Sequence, residues 1–484
     1  MVESADNRLV GRVFDESDYT TWSAIAIATA VKAGRVRPRE LVAHFIQRLE
    51  QVNPLVNAVI AWSADAIYEQ AEALEARLAG KNLAAMPLAG VPVLVKDNIW
   101  VEGWEVTQGS QLLLGVVAPK DALVVARLRA SGAIILGLTN CPEFACRSIT
   151  TNSVYGTTRN PWALTHTPGG SSGGSASAVA AGLAPLALGT DAGGSIRRPA
   201  AHTGIIGMMP AAGTVPFSDS FPELPLVMNS MGIFARTLAD TRLALETMRG
   251  LPVDLDGPIT NPAEGSGRGA GPLRIGYCQN LGMIGGLEPD VENAVRTALN
   301  RLLAQGSVVM TETAPDWMSN YSESGIAVLE QTGLALLFGE DHLDNPGLID
   351  ADVAKQIDSG LNASGLDVAR ALVLRESLTS QFNSAFQNFD LLVTPTTPCT
   401  AWPLSEDWPR QIAGRSASPR DHARFTWFVN QVGAAACSMP CGFDAEGLPI
   451  GLQVIAPAHA EADLLALAEM LEADYALHLP ATGA

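Results

Sequence analysis

The chain has 484 residues, of which 47% are hydrophobic and 17% charged, a composition that suits a large folded core and excludes a disordered chain. Its 31 basic and 50 acidic residues give a formal net charge of −19, which repels phosphate backbones and argues against a nucleic-acid partner. No apolar run is long enough to span a bilayer, and the acidic N-terminal stretch is unlike a secretory signal peptide, so we expect a cytoplasmic protein with no membrane association.

The N-terminal region, residues 1–80, is predicted to be largely helical from residue 21 onward. A helix that opens at Pro38 carries an apolar stripe on one face, which we interpret as core rather than as a binding surface. A second helix is predicted from Ala64 to Leu78.

The segment 81–256 alternates between short apolar runs and helical patterns, which is typical of α/β proteins. We treat it as the core of the fold. The predicted elements are a strand over 90–96 that ends in Lys96, a helix over 121–131 capped by Asp121 and ended by Gly132, a strand over 133–138, a helix over 175–181 and a strand over 185–189.

A stretch rich in Pro, Gly and Ser over 257–272 predicts a linker-like loop. Residues 273–484 then complete the α/β fold around a helical insertion. The predicted elements here are a strand over 273–277, mostly helix over 285–385, a strand over 391–394, a loop over 400–420, a strand over 447–455 and a helix over 460–473.

The six cysteines are sparse and show no metal-ligand pairing with histidine. Cys437 and Cys441 are four residues apart, but no second pair completes a zinc site. We therefore expect reduced thiols, no metal and no cofactor.

The strongest chemical signal is the glycine- and serine-rich stretch 168–198, which contains two serine-bearing turns on either side of a small-residue helix and a strand. Glycine lets successive backbone N–H groups converge on one oxygen and lets a ligand approach closely. The turn at 191–195 therefore offers an oxyanion hole beside a hydroxyl group.

A nucleophilic serine needs a base, and the sequence offers His166, His202 and Lys96. Neither histidine has an evident orienting carboxylate, whereas Lys96 ends a buried strand, where desolvation would lower its pKa toward that of a usable base. Two other interpretations of the glycines fail. The run from Gly169 to Gly173 has the spacing of a nucleophile elbow but no strand enters it, and no Gly-Lys-Ser/Thr phosphate loop is present.

Together these residues resemble the amidase signature family, densely over about residues 85–240. The resemblance implies an α/β fold with a central twisted mixed β-sheet covered on both faces by helices. It rests on the stretches TPGGSSGGSASAVAAGLAPLALGTDAGGSIRRPAA (167–201), KDNI (96–99), GLTNCPEFA (137–145) and YGTTRNPW (155–162).

The family uses a Ser–cis-Ser–Lys triad, and the matching positions imply its members here. Ser195 would be the nucleophile, Ser171 the bridging serine after a cis peptide bond from Gly170, and Lys96 the base. The backbone N–H groups implied for the oxyanion hole are those of Ala192, Gly193, Gly194 and Ser195. Asp191 and Arg197 resemble residues that support this loop.

The chain departs from the family pattern at Gly207–Ala211 and at His202–Thr203, outside the triad. The apolar segment 213–231 either lines a substrate pocket or packs as ordinary core. Its large side chains are those of Phe217, Phe221, Leu224, Leu226 and Met228.

The resemblance implies a hydrolase of small, fairly apolar amides, with anilides and carbamates (urethanase activity) as related substrates. The alternative is the A-type subunit of a glutamine-dependent tRNA amidotransferase, which needs partner subunits. A non-catalytic binding protein is a third possibility that the intact triad disfavours, and a homodimer is left open.

Overall fold

The structure is a computed structural model that describes residues 18–80, 83–251, 271–281, 286–314, 323–458, 460–473 and 480. The predicted linker over 257–272 lies outside the described residues except for its last two positions, and stays a prediction. Within the described ranges no helix is both long and apolar enough to cross a membrane.

A mixed sheet of eleven strands forms the centre of the fold, which confirms the predicted α/β class. The strands are numbered in chain order. In spatial order they are β1 (Val59–Ala61), β3 (Ile134–Thr139), β2 (Pro92–Lys96), β6 (Leu186–Asp191), β8 (Ser230–Ala235), β7 (Ile206–Met209), β14 (Ala435–Phe443), β15 (Pro449–Ala456), β11 (Leu391–Pro395), β9 (Leu273–Tyr277) and β10 (Val308–Glu312). Two small ribbons pair β4 (Thr151–Asn152) with β5 (Gly156–Thr157) and β12 (Gln411–Ile412) with β13 (Arg415–Ser416).

Thirteen α-helices are present in the described part of the chain, and several pack directly on the sheet. They are α1 (Ala24–Lys32), α2 (Pro38–Val56), α3 (Ala64–Ala79), α4 (Leu123–Ala130), α5 (Gly173–Ala180), α6 (Arg197–Thr203), α7 (Leu238–Arg249), α8 (Pro289–Ala304), α9 (Glu323–Asp344), α10 (Ala351–Leu361), α11 (Gly365–Ala385), α12 (Trp427–Gln431) and α13 (Glu461–Ala473).

The strands β3, β2 and β6 are neighbouring parallel strands whose residues are all buried. Parallel strands that are covered on both faces read as nearly continuous apolar runs, which is why these three could be predicted. Because they run in the same direction, the carboxyl ends of β2 and β6 lie at one edge of the sheet. Lys96 and Asp191 are the last residues of these two strands.

The predicted cap of α4 was wrong. The helix begins at Leu123 after Ala122, and no side chain caps it. Asp121 instead accepts a hydrogen bond from the amide of Glu102 at 2.8 Å and pairs with Arg129 at 2.9 Å. Two partners outside the first turn therefore outcompete the capping contact.

Several strands escaped prediction. The region 285–385, predicted as mostly helical, contains β10, and the predicted loop over 400–420 contains the ribbon of β12 and β13. The N-terminal region, predicted as helical, contributes β1 to the sheet edge beside β3. Short strands give too few residues for a period-2 pattern to stand out.

Helices α9, α10 and α11, which we call the cover, form a layer built largely on their own contacts. The ring of Phe338 on α9 stacks on Phe144 with centroids 3.8 Å apart. Gly360 on α10 lies so close to Gln331 of α9 that a Cβ at this glycine would overlap the Gln331 carbonyl group. The missing side chain therefore sets the spacing between the two helices.

The substitution Gly360→Ala should lower the free energy of unfolding by about 1–3 kcal/mol, because the added methyl group meets backbone that cannot move aside cheaply. Thermal or urea unfolding would measure the change. The matched control is Gly365→Ala at the start of α11, where no atom lies within 4 Å of the new Cβ. That variant should be neutral or slightly more stable, and equal losses in both variants would contradict the steric explanation.

Candidate active site

The carboxyl end of β2 brings Lys96 into contact with two hydroxyl groups. Its Nζ lies 2.8 Å from Ser171 Oγ and 2.9 Å from Thr190 Oγ1. Lys96 is fully buried, and this burial lowers the pKa of the ammonium from 10.5 to about 8. The uncharged amine, which is the form that can accept a proton, is therefore more accessible near neutral pH than for an exposed lysine.

The turn before α5 presents Ser171 to this amine. The Gly170–Ser171 peptide is cis, as predicted from the family resemblance. The Thr150 hydroxyl stabilises the turn by donating a hydrogen bond to the Gly169 carbonyl at 2.9 Å. The amide of Ser172 donates to the Ser195 carbonyl at 3.2 Å, so the two serine-bearing turns are tied directly to each other.

Thr190 orients the amine of Lys96. Asn98 Nδ2 donates to Thr190 Oγ1 at 2.9 Å, and Lys96 Nζ contacts the same oxygen. With Thr190 accepting an N–H from a neutral Lys96, the lone pair of that amine is left to face the Ser171 hydroxyl. Sequence analysis missed this role, although Thr190 directly precedes Asp191 in the predicted loop.

A buried ion pair fixes the second serine turn. The Asp191 carboxylate accepts from the side chain of Arg197 at 2.9 and 3.0 Å and from the amides of Gly194 at 2.6 Å and Ile196 at 3.0 Å. Burial alone would raise the pKa of Asp191, but the Arg197 charge and these hydrogen bonds hold it well below its ordinary value. Both partners have no exposed side-chain surface.

The oxyanion hole predicted for this turn needs a correction at Gly194. Its amide donates to Asp191 and is not available to a ligand. In the described part of the chain, the amides of Ala192, Gly193 and Ser195 donate to no protein acceptor. Three of the four predicted donors are therefore without a protein acceptor among the described residues.

Ser171 and Ser195 both line one cleft. The described lining residues are Asn98, Gln108, Phe144, Ala145, Ser171, Thr190, Ala192, Ser195, Phe217, Phe221, Pro222, Leu224, Asn229 and Glu330. Three of the five apolar side chains singled out in segment 213–231 thus line the cleft. Leu226 and Met228 do not, and both are exposed.

Two consecutive residues of the cleft wall, Phe144 and Ala145, have left-handed backbone conformations with φ of 49° and 61°. Non-glycine residues seldom adopt such angles, and they cluster at functional sites. Glu143 secures the turn because it accepts from the Ser110 hydroxyl at 2.6 Å and from the Asp350 amide at 2.5 Å. Sequence analysis marked this stretch only through the family resemblance.

Neither histidine considered as a base lines the cleft. His202 is buried beside Gly169, and its burial, together with the charge of Arg198, lowers the pKa of the imidazole to about 3. His166 contacts the Thr165 hydroxyl at 3.0 Å.

The six cysteines, all within the described residues, are free thiols. Cys437 and Cys441 both lie on β14. Across the described ranges, no three His, Cys, Asp or Glu side chains converge as metal ligands would.

Replacing Asp191 by Asn should destabilise the protein by about 3–5 kcal/mol, because it leaves the Arg197 guanidinium buried without a counter-charge. Urea unfolding followed by tryptophan fluorescence would measure the loss. Glu72→Gln is the control, because it breaks an exposed pair with Arg39 and should cost no more than about 1 kcal/mol. A loss for Asp191→Asn no larger than that of the control would refute the structural role of the pair.

The chain resembles known proteins over most of its length. The family model for amidases matches residues 40–465. The chain is 36% identical to the A-type subunit of a glutamyl-tRNA(Gln) amidotransferase of Symbiobacterium thermophilum, over 92% of this chain and 95% of that protein. It is 34% identical to an acylamidase of Rhodococcus erythropolis, over 93% of this chain and 95% of that protein.

Among solved structures, a bacterial aryl acylamidase of the amidase signature family superposes with a TM-score of 0.83 at 28% identity, over 93% of this chain and 96% of that one. The family match spans most of the chain and includes every residue of the cleft. The protein therefore belongs to the amidase signature family and is a hydrolase of that family.

Proposed function

We propose that the protein hydrolyses the C–N bond of small, fairly apolar amides through an acyl-enzyme on Ser195, with Ser171 as bridge and Lys96 as base. The observation that carries the proposal is the 2.8 Å contact between the fully buried Lys96 and a serine that shares its cleft with a second serine. A buried amine with a lowered pKa, aimed at a hydroxyl group, is the arrangement that general-base activation of a nucleophile requires.

These three side chains can carry out every proton transfer that the reaction needs. Neutral Lys96 takes the hydroxyl proton of Ser171 while Ser171 takes that of Ser195, and the resulting alkoxide attacks the amide carbonyl carbon. The amides of Ala192, Gly193 and Ser195 donate to the negative oxygen of the tetrahedral intermediate.

Collapse of this intermediate breaks the C–N bond, and the relay returns the proton to the leaving amine. Water then repeats the sequence on the acyl-enzyme and releases the carboxylic acid. Carbamates would enter by the same attack on a carbonyl, so urethanase activity belongs to the same proposal.

The A-type subunit of a tRNA amidotransferase is the second candidate, and the 36% identity to such a protein favours it. The acylamidase relative is 34% identical, so overall identity does not separate the two functions. The departure at Gly207–Ala211, which contains most of β7, favours a stand-alone hydrolase. Turnover of a nitroanilide by the purified chain alone would support the first function, and glutamine hydrolysis only with partner subunits would support the second.

Ser195→Ala should abolish amide turnover and labelling by a fluorophosphonate probe, and Ser171→Ala should lower kcat by several orders of magnitude, because nucleophile and relay act as a unit. Ser177→Ala is the matched control. It makes the same change in α5, where the hydroxyl donates to the Arg159 carbonyl at 2.8 Å, and it should keep near wild-type activity. Labelled and active Ser195→Ala protein would refute the assignment, and circular dichroism would check the fold of each variant.

The pH profile tests the base. Since the neutral amine of Lys96 is the active form and its pKa is lowered to about 8, kcat/KM should rise with pH and level off above about pH 8. Lys96→Arg should be inactive throughout, because a guanidinium stays charged at all these pH values. Lys355→Arg at an exposed site provides the control and should leave the profile unchanged. A wild-type rate that is flat through this range would contradict the role of Lys96.

A further inference from the structure

The described lining of the cleft combines several neutral polar side chains with a single carboxylate. Among its described lining residues, Glu330 is the one with a formal charge, and it faces a wall that is otherwise largely apolar, with Phe217, Phe221 and Leu224. A carboxylate in an apolar cleft is costly unless a cation or hydrogen-bond donors compensate its charge. The proposed hydrolysis of the amide bond makes no use of this group.

Glu330 is held in place by the helix that bears it. One turn further along α9, a Cβ at Gly333 would lie 2.9 Å from the Pro225 carbonyl oxygen, so α9 approaches segment 213–231 closely at this point. Phe338 on the same helix stacks on Phe144 of the cleft wall. The helix that bears Glu330 is thus packed against the walls of the cleft at two points.

The ion pair of Glu330 leaves the carboxylate available. Its partner Arg420 lies 3.9 Å away, at the limit of a salt bridge, and the two side chains are 24% and 47% exposed. Pairs of this kind contribute about 0–1 kcal/mol, so loss of the Arg420 contact costs little when a ligand cation takes its place.

Two amide side chains of the cleft add hydrogen-bond acceptors. Within the described residues, the buried Oδ1 atoms of Asn98 and Asn229 have no hydrogen-bond partner. The side-chain amide of Asn98 lies against Thr190, with Nδ2 2.9 Å from Oγ1. Buried acceptors without partners are costly, and N–H groups of a ligand would satisfy them.

We propose that Glu330 is a specificity-determining residue, and that the preferred substrates are amides with a primary ammonium group separated from the scissile bond by an apolar spacer. The spacer would pack on Phe217, Phe221 and Leu224, and the ammonium would bind the Glu330 carboxylate. The inference deepens the proposed function and rests on it for the identification of the cleft as a substrate site.

The test compares two matched series of amides in wild-type protein and in Glu330→Gln. Each series pairs an ω-ammonium compound with its methyl-terminated analogue and increases the spacer length step by step. In the first series, of p-nitroanilides, the ammonium group is in the acyl part of the amide. In the second series it is in the leaving amine. At the best length, wild type should prefer the ammonium compound in kcat/KM. Glu330→Gln should lower kcat/KM for that compound about 10- to 100-fold and leave its analogue unchanged.

Glu340→Gln is the control variant, because it removes the same charge from an exposed position of α9. It should leave both series unchanged. Equal effects of Glu330→Gln on ammonium and methyl compounds in both series would overturn the inference, as would an equal response to Glu340→Gln.

A binding measurement separates this inference from the proposed function. In a Ser195→Ala background, calorimetric titration with ω-aminoalkanamides and alkanamides should give tighter binding of the amino compounds, and Glu330→Gln should remove the difference. If the amino compounds bind more tightly but wild type turns over no amide, the proposed hydrolase function is refuted and the proposed ammonium subsite is supported. Turnover of neutral amides without the preference would refute the subsite and keep the hydrolase.

Discussion

Two opposite charges buried side by side, Asp191 and Arg197, hold together the part of the molecule on which the site depends. Arg197 also donates to the Thr426 carbonyl at 2.9 Å and to Gln453 at 2.8 Å, while Asn430 donates to the Asp191 carbonyl at 2.8 Å. The turn between β6 and α6 is thereby tied to α12 and β15 from distant parts of the chain. Removing a charged group from water is expensive, so such a pair persists only with this many hydrogen bonds.

The parallel order of β3, β2 and β6 explains why the chemistry lies at one edge of the sheet. Ligands of α/β proteins bind beyond the carboxyl ends of their strands, and here β2 ends in Lys96 while β6 ends in Thr190 and Asp191. These central strands could be predicted because burial on both faces leaves a continuous apolar run. Strands such as β8 and β14 could not be predicted, because the glycine, methionine and cysteine residues in them favour neither a strand nor a helix.

The residues of the site also fall into those that the sequence predicts and those that it does not. Lys96 could be singled out from sequence because an ionisable group that ends an apolar run contradicts its surroundings. The loss of the Gly194 amide to Asp191 was missed, although an aspartate three residues before a glycine is a turn signal that could have suggested it. Asn229 and Glu330 could not be predicted, because they reach the cleft only through packing between segments about a hundred residues apart.

The cover has a consequence for how enzymes of this kind diversify. The proposed catalytic groups belong to the sheet and the turns beside it. Glu330 comes from helices that contact the cleft wall through the Phe144–Phe338 stack, the contact at Gly333 and the hydrogen bond from the Asp350 amide to Glu143. On the two proposals above, mutations in residues 323–385 would change which substrates are bound without altering the groups that cleave them. Cleavage and substrate choice would then depend on separate segments of the chain, and each could change while the other is kept.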